Sequence, residues 1–143
     1  MIAPKASHRK MARTRALQGL YSWHLSQMAM SEIESDIVAG QNPKRIDLEY
    51  LHALLHGVLE NQLAIESAFS PFLSRPLKDL DPIELGILWL SGYELLYRVD
   101  VPYKVVINEA LELAKTFGSE DSHKFINGVL DKLARSVRKT ELA

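Results

Sequence analysis

The sequence predicts an all-α protein of about seven helices. Apolar residues recur three and four positions apart along most of the 143 residues, as they do on one face of a helix. Residues that favour helix starts and ends separate these stretches, and no stretch alternates apolar and polar residues as a half-buried strand would. The length suits a single domain with a sizeable core.

Three helices are predicted in the N-terminal part of the chain. The first extends from Ser7 to Gln27 and has an apolar inner face. Ser31 and Glu34 have the spacing of a capping box at the start of a short second helix, which Gly40 ends. Asp47 is the predicted N-cap of a long third helix.

A buried fourth helix is predicted after two breaks at Ser70-Pro71 and Arg75-Pro76. Asp81 is its expected N-cap, Pro82 suits the first helical position, and Glu84 adds an acid in the first turn. The helix is apolar nearly all round as far as Tyr97, so we expect it at the centre of the protein.

The last predicted pair of helices occupies Asp100 to Leu133. Pro102 suits the first turn of one helix, Gly118 is expected to end it in the left-handed conformation, and Ser119 is expected to cap the next. Gly128 lies in the middle of the second helix at a cost of about 1 kcal/mol relative to Ala. We therefore expect another backbone to pack closely against it.

Charge is distributed unevenly along the chain. The segment from Met1 to Ser31 has five basic residues and no acid, whereas the remainder has a net charge of −6. A basic arm on an acidic body indicates a polyanionic partner for the arm. Two alternatives are a solvated helix end and an Arg-rich transit peptide.

Three aromatic residues are candidates for contacts with that polyanion. Tyr21, Phe117 and Phe125 would lie near the basic arm if the last two helices packed on the first. Cations beside exposed aromatic faces suit single-stranded nucleic acid, because they neutralise phosphates and stack unpaired bases. The alternative for each ring is an ordinary core position.

One helix face has the residue types of a metal site. Glu49, His52, His56 and Glu60 share a face of the third helix, and the pattern Glu-x-x-His recurs at Glu120. The second copy falls in the first turn of its helix, where the helix dipole already favours an acid. We therefore favour surface histidines and predict no metal site.

The residue pattern also argues against catalysis. The chain has no cysteine, its seven glycines are isolated, and no serine lies in a strand–turn–helix elbow. We predict a binding protein that is not an enzyme and needs no cofactor. No apolar run approaches the ~20 residues of a membrane span, and we expect a cytoplasmic protein without a membrane partner.

Three stretches resemble the NusB family of bacterial transcription antitermination factors. They are RALQGLYSWHLSQ from Arg15, the helix from Glu84 to Tyr97, and VPYKVVINEALELAKTFGSEDSHKFINGVLDKL from Val101. The resemblance implies two packed helical bundles, at about residues 1–75 and 76–143. It implies binding of single-stranded boxA RNA of ribosomal-RNA operon transcripts together with the small-subunit ribosomal protein NusE.

The resemblance also implies which residues contact RNA and which further partners take part. Those partners are other Nus factors and RNA polymerase, reached through the antitermination complex. A protein–protein adaptor or homodimer with incidental RNA binding remains the alternative. By position, the implied RNA-binding residues are Arg9, Lys10 and Arg13 in the arm and Tyr21, Glu84, Phe117, Asp121, Lys124 and Phe125 in the body.

Overall fold

The computed structural model describes residues 5–142, without the side chain of Leu142. Within this range the regular elements are helices and no strand is present, so the all-α prediction is confirmed. Short 3-10 turns at Ser70–Phe72 and Leu77–Asp79 lie in the link that the prolines predict. The α-helices are α1 (Ala6–Ser26), α2 (Met30–Ala39), α3 (Leu48–Phe69), α4 (Pro82–Tyr97), α5 (Tyr103–Phe117), α6 (Ser122–Val137) and α7 (Lys139–Leu142).

The chain divides into two compact units, Met1–Glu60 and Asn61–Ala143. The division falls inside α3, where Asn61 has non-helical backbone angles of φ −120° and ψ 20°. These angles mark a kink in α3. The division into helical bundles at about residues 1–75 and 76–143 stays a prediction.

In the first unit, α1 contacts α2 and α3 through small residues. A Cβ at Gly19 would lie 3.0 Å from side-chain methyl carbons of both Ile37 and Leu55. Ala12 and Ala16 are fully buried on the same helix. Small side chains therefore allow the close approach that buries the inner face of α1.

In the second unit, α4 is the buried central helix that its sequence predicts. Every residue from Glu84 to Leu95 is buried, and α4 packs against both α5 and α6. A Cβ at Gly92 would lie only 2.8 Å from Cγ2 of Ile65, so this glycine permits a close approach. The indole Nε1 of Trp89 donates a hydrogen bond of 2.8 Å to the Glu66 carboxylate, which satisfies a buried donor.

Two of the predicted helix starts are confirmed and one is wrong. Asp47 Oδ1 accepts a hydrogen bond from the Tyr50 amide at 2.9 Å, and Asp81 Oδ1 accepts one from the Glu84 amide at 2.8 Å. The expected capping box at Ser31 is wrong, because the N-cap of α2 is Ala29, two positions earlier, and Ser31 lies inside the helix. The Glu34 carboxylate, free of that role, accepts hydrogen bonds from two histidines of α3.

The turn between α5 and α6 also differs from its prediction. Gly118 is extended, with φ −89° and ψ 178°, and is not left-handed. A Cβ there would lie 2.8 Å from the Ala114 carbonyl oxygen and from Cβ of Ser122, so glycine is needed for space. Ser119 does not cap α6, since Asp121 is the N-cap and the Ser119 amide donates to Ser122 Oγ. Pro102 is the N-cap of α5, one position before the predicted one.

The close helix crossing predicted at Gly128 is wrong. Gly128 is exposed, and nothing in the described part of the chain beyond its own turn lies within 4 Å of the position a Cβ would take. Asn108 and Asn127 are exposed as well, so they need no buried partners. The apolar stripe of α6, with Ile126 and Leu130 fully buried, lies on the opposite side.

Replacing Gly128 by alanine should therefore stabilise the protein. Alanine is better than glycine in a helix interior by about 0.8–1.0 kcal/mol, and the open surroundings add no packing cost. The same change at Gly92 would gain that propensity but force Ile65 to shift, at a cost of about 1–3 kcal/mol. Thermal melts should rank G128A above G92A, and the reverse order would contradict these packing assignments.

The C-terminal end of α4 is closed by Arg138, which the sequence did not single out. Its guanidinium is 5% exposed and donates to four backbone carbonyls near the end of α4. The last carbonyls of a helix have no partner within the helix, so a cation is well placed there.

The Arg138 guanidinium also pairs with Glu141, whose other carboxylate oxygen accepts a hydrogen bond from the Tyr103 amide at 2.8 Å. These two hydrogen bonds, the one from Tyr103 first, lower the pKa of Glu141 despite opposing desolvation. The accepting carbonyls are those of Glu94, Leu95, Arg98 and Val101.

None of the helices described for residues 5–142 has the length and apolar character needed to cross a bilayer.

Candidate nucleic-acid interface

The basic N-terminal segment forms the first half of α1. α1 begins directly after its N-cap, Lys5, and has no acidic residue in its first turn. No carboxylate of that turn therefore offsets the positive end of the helix dipole. Lys5 and Lys10 are exposed and Arg9 is half-buried. An anionic ligand would therefore meet both the helix end and exposed ammonium groups.

Two arginines of this segment are held against the start of α3. Cζ of Arg9 lies 4.2 Å from the centre of the Tyr50 ring, and Cζ of Arg13 lies 5.5 Å from it. Arg9 Nε is also 3.8 Å from the Asp47 carboxylate, and the Asp47 amide donates to the His8 carbonyl. Arg13 is only 4% exposed. The structure thus separates an exposed cation, Lys10, from two arginines that pack on an aromatic ring.

Tyr21 lies farther along α1 and is exposed, although the helical pattern assigns it to the inner face. Its neighbours on the chain, Leu17 and Leu20, are buried as predicted. The phenol ring therefore has surface available for a ligand.

In the second unit, the buried Glu84 carboxylate joins three segments. Glu84 is 3% exposed; its Oε1 accepts from Arg75 Nη2 at 2.7 Å, and its Oε2 accepts from Ser122 Oγ at 2.8 Å. Ser122 Oγ in turn accepts from the Ser119 amide at 3.1 Å. A buried carboxylate requires such partners, and here they connect the start of α4, the preceding link and the start of α6.

Arg75 is a candidate residue that sequence reasoning missed. Its Cζ lies 4.2 Å from the centre of the Phe125 ring, while its guanidinium is held by Glu84 and its side chain remains 43% exposed. Arg75 and Phe125 are far apart in the chain, so no spacing rule links them. The only available signal was a cation shortly before the strong helix start at Asp81.

The other predicted residues of this unit lie around the turn between α5 and α6. Phe117 is exposed near the end of α5, and Asp121 and Lys124 are exposed at the start of α6. Phe125 is half-buried. The structure therefore brings Phe125 and Glu84 together through Arg75 and presents a ring, an acid and a cation at the neighbouring turn. Arg9, Lys10, Arg13 and Tyr21 belong to the first unit.

In each unit, these groups have the chemistry of a single-stranded nucleic-acid contact. Exposed ammonium and guanidinium groups pair with phosphates, and aromatic faces stack bases. An exposed carboxylate such as that of Asp121 accepts hydrogen bonds from base amino groups.

Comparison with known proteins gives consistent matches over most of the chain. The model of the NusB family matches residues 10–135. The chain is 53% identical over 130 residues to the transcription antitermination protein NusB of Actinobacillus pleuropneumoniae serotype 5b (strain L20), covering 91% of this chain and 95% of the relative. It is 49% identical over 136 residues to that of Idiomarina loihiensis, covering 95% and 98%.

Solved structures show the same similarity in three dimensions. The fold is similar to that of T. maritima NusB, with a TM-score of 0.84, 29% identity and 99% of each chain covered. It is also similar to a chain in a crystal structure of the antitermination factors NusB and NusE in complex with double-stranded RNA. That match has a TM-score of 0.81 and 26% identity, and it covers 92% of this chain and 99% of the other.

Proposed function

This chain belongs to the NusB family of transcription antitermination proteins, and we propose that it binds single-stranded boxA RNA of ribosomal-RNA operon transcripts together with the ribosomal protein NusE. The observation that carries this proposal is the basic start of α1, with Lys10 exposed and Arg9 held on Tyr50. A structurally similar protein was solved with NusE and RNA, which supports the same two partners here. The protein acts by binding and not by catalysis, in the cytoplasm.

The arm supplies the phosphate contacts in this proposal. Lys10 is exposed and Arg9 is partly exposed, and each phosphate contact that they make releases condensed counterions from the RNA. Arg13 is buried, so it takes a positioning role through its packing with Tyr50. Salt-dependent binding follows directly from this arrangement.

The second unit supplies base contacts. Phe125 and Phe117 offer aromatic faces, Lys124 a further phosphate contact, and Asp121 an acceptor for a base amino group. Glu84 is almost fully buried and both its carboxylate oxygens accept hydrogen bonds, which favours a positioning role over a direct RNA contact. It instead orients Arg75 over Phe125.

The wider partners follow from the role in antitermination. Other Nus factors and RNA polymerase would be reached as parts of one transcription complex. The acidic remainder of the chain, with net charge −6, favours encounter with a basic ribosomal protein such as NusE. A homodimer or adaptor function is the second candidate, favoured by exposed apolar side chains such as Leu63 and Val99.

Replacing Arg9 and Lys10 by alanine should weaken RNA binding and flatten its dependence on salt. For single strands the slope of log K against log salt should fall by about 0.7 for each phosphate contact that the substitutions remove. A labelled boxA oligomer titrated at several salt concentrations measures this. The matched control is the pair K132A and R135A, which removes two exposed cations of α6.

The same titrations test the function itself. A scrambled single strand and a boxA duplex are the reference RNAs, because the solved relative was crystallised with double-stranded RNA. Preference for single-stranded boxA over both supports the proposal. An unchanged salt slope in the arm variant, with equal binding of all three RNAs, would favour the adaptor or homodimer.

Phe125→Leu should reduce RNA affinity while leaving the protein folded. Leucine keeps most of the apolar volume but removes the ring on which a base would stack, which is worth about 1–3 kcal/mol. Tyr97→Leu, at an exposed aromatic outside the predicted interface, is the control. A fall in melting temperature without a change in RNA affinity would show that Phe125 serves only to pack against Arg75.

A further inference from the structure

Two histidines and a glutamate converge in the first unit, and none of the three is a residue assigned to RNA. His56 Nε2 lies 2.7 Å from Glu34 Oε1, and His52 Nδ1 lies 2.8 Å from Glu34 Oε2. The two imidazole centres are 4.2 Å apart. The acid comes from α2 and the histidines from α3, so the cluster joins two helices.

The sequence suggested a different set of groups on this face. Glu49 and Glu60 share the helix with the histidines, but both are exposed and neither is the acid that meets them. Glu34 is free to do so because it does not form the expected capping box. The acid that meets the two histidines is therefore Glu34 of α2, which the spacing of residues along α3 alone does not reveal.

The geometry of the cluster suits a small divalent cation. One ligand atom from each of Glu34, His52 and His56 lies within 4.8 Å of the other two. Zinc binds nitrogen and carboxylate oxygen at about 2.0–2.2 Å, so tetrahedral ligand atoms are about 3.3 Å apart. Glu34 Oε1 lies 2.7 Å from His56 Nε2 and 3.1 Å from His52 Nδ1. These two separations need to open by about 0.2–0.6 Å, which side-chain rotation provides.

Glu34 supplies the negative charge of the cluster. Burial opposes ionisation of Glu34, but hydrogen bonds from His56 and His52 and their charges outweigh it and lower the pKa of the carboxyl. Glu34 is thus an anion at neutral pH. To bind a metal, each imidazole must offer an unprotonated nitrogen, so the proton that it now directs at Glu34 has to leave that nitrogen.

We propose that Glu34, His52 and His56 form a site for a divalent transition-metal ion, with Zn²⁺ as the preferred occupant. Two histidines, one carboxylate and a water molecule make a four-coordinate set typical of zinc with an open position. The side chain of His52 is 62% exposed, which gives the ion and its water access. Magnesium and calcium are disfavoured, because both prefer all-oxygen ligands.

A bound ion would fasten α2 to α3. Of the ten residues of α2, only Met30 and Ile33 are buried, so the helix has few apolar anchors. Coordination by one ligand from α2 and two from α3 would add a crosslink between them. Any species that binds only the folded state stabilises it, so Zn²⁺ should raise the melting temperature.

Calorimetric titration of ZnCl₂ into the tag-free, metal-stripped protein tests the site. We expect one equivalent to bind, with affinity reduced more than about tenfold in H52Q and H56Q, since even outer partners of a metal site contribute about 10–100-fold. E34Q should behave similarly. His24→Gln removes an exposed imidazole of α1 and should leave both the affinity and the zinc-dependent melting shift unchanged.

A measurement on the unaltered chain makes the result independent of how the variants fold. Substoichiometric Cu²⁺ should broaden the imidazole NMR signals of His52 and His56 before those of His8, His24 and His123. Equal broadening of all five histidines would overturn the proposal. So would zinc binding that is the same in wild type and in the H52Q/H56Q double variant.

Discussion

Replacing Arg138 by alanine is expected to lower the free energy of unfolding by about 3–5 kcal/mol, the largest single effect that this structure predicts. The side chain of Arg138 is almost fully buried, and its hydrogen bonds measure 2.8 Å from Nε to the Leu95 carbonyl and 3.1 Å from Nη2 to that of Glu94. Without it, the carbonyls of Leu95 and Val101 lose their arginine donor, whereas those of Glu94 and Arg98 keep backbone donors. Each buried acceptor left unsatisfied costs about 1–3 kcal/mol. Partial entry of water keeps the total below the simple sum.

Arg135 is the matched control for this prediction. It is an arginine of the same helical region, but its side chain is exposed and pairs with Asp131 on the surface at 3.3 Å. Such a pair contributes about 0.3–0.5 kcal/mol. Denaturant unfolding should therefore show a several-fold larger decrease in stability for R138A than for R135A. Similar small decreases in both would mean that the carbonyls at the end of α4 are solvated.

Addition of NusE is expected to tighten binding of boxA RNA to this chain by about 5–150-fold, the usual range of coupling between two ligands. The arm of this chain has few exposed cations, and Arg13 is withdrawn into the first unit, so the chain alone should bind a short single strand weakly at physiological salt. A basic partner attached to the acidic remainder adds the missing positive charge. RNA must then strengthen the protein–protein interaction by the same factor, because linkage is reciprocal.

Titration of labelled RNA with this chain, with NusE and with their mixture measures the coupling in one direction. Titration of NusE into the chain with and without unlabelled RNA measures it in the other. Arm variants R9A and K10A should bind RNA more weakly in the mixture but retain binding of NusE alone. Equal RNA affinity with and without NusE would reject a shared RNA surface.

Local sequence signals predicted the elements well because they act over a few residues. The cap at Asp47, the Asp81-Pro82 start and the end of α2 at Gly40 each depend on neighbours within one turn. The burial of α4 followed from its apolar composition on every face. Membership of the NusB family followed from long stretches of residue identity, which the family match confirms.

The same local signals failed where a residue had two uses that only its surroundings distinguish. Gly118 has the position of a left-handed helix end, yet it is extended and glycine is required by the nearby Ser122. Gly128 costs helix propensity without any neighbour to explain it, and we have no physical account of its presence. A glycine in the sequence therefore does not show whether the backbone conformation or the space available for a side chain requires it.

The sequence by itself determined the helices, the buried centre, the charge asymmetry and the family. Only the tertiary structure decided the partners of the polar side chains. Glu34 meets His52 across 18 positions, Glu84 meets Ser122 across 38, and Arg138 meets the Glu94 carbonyl across 44. A helix start is fixed by backbone geometry over one turn, whereas these hydrogen bonds depend on how whole helices pack. Periodicity shows which face of a helix is buried, but it does not show which distant group that face will contact.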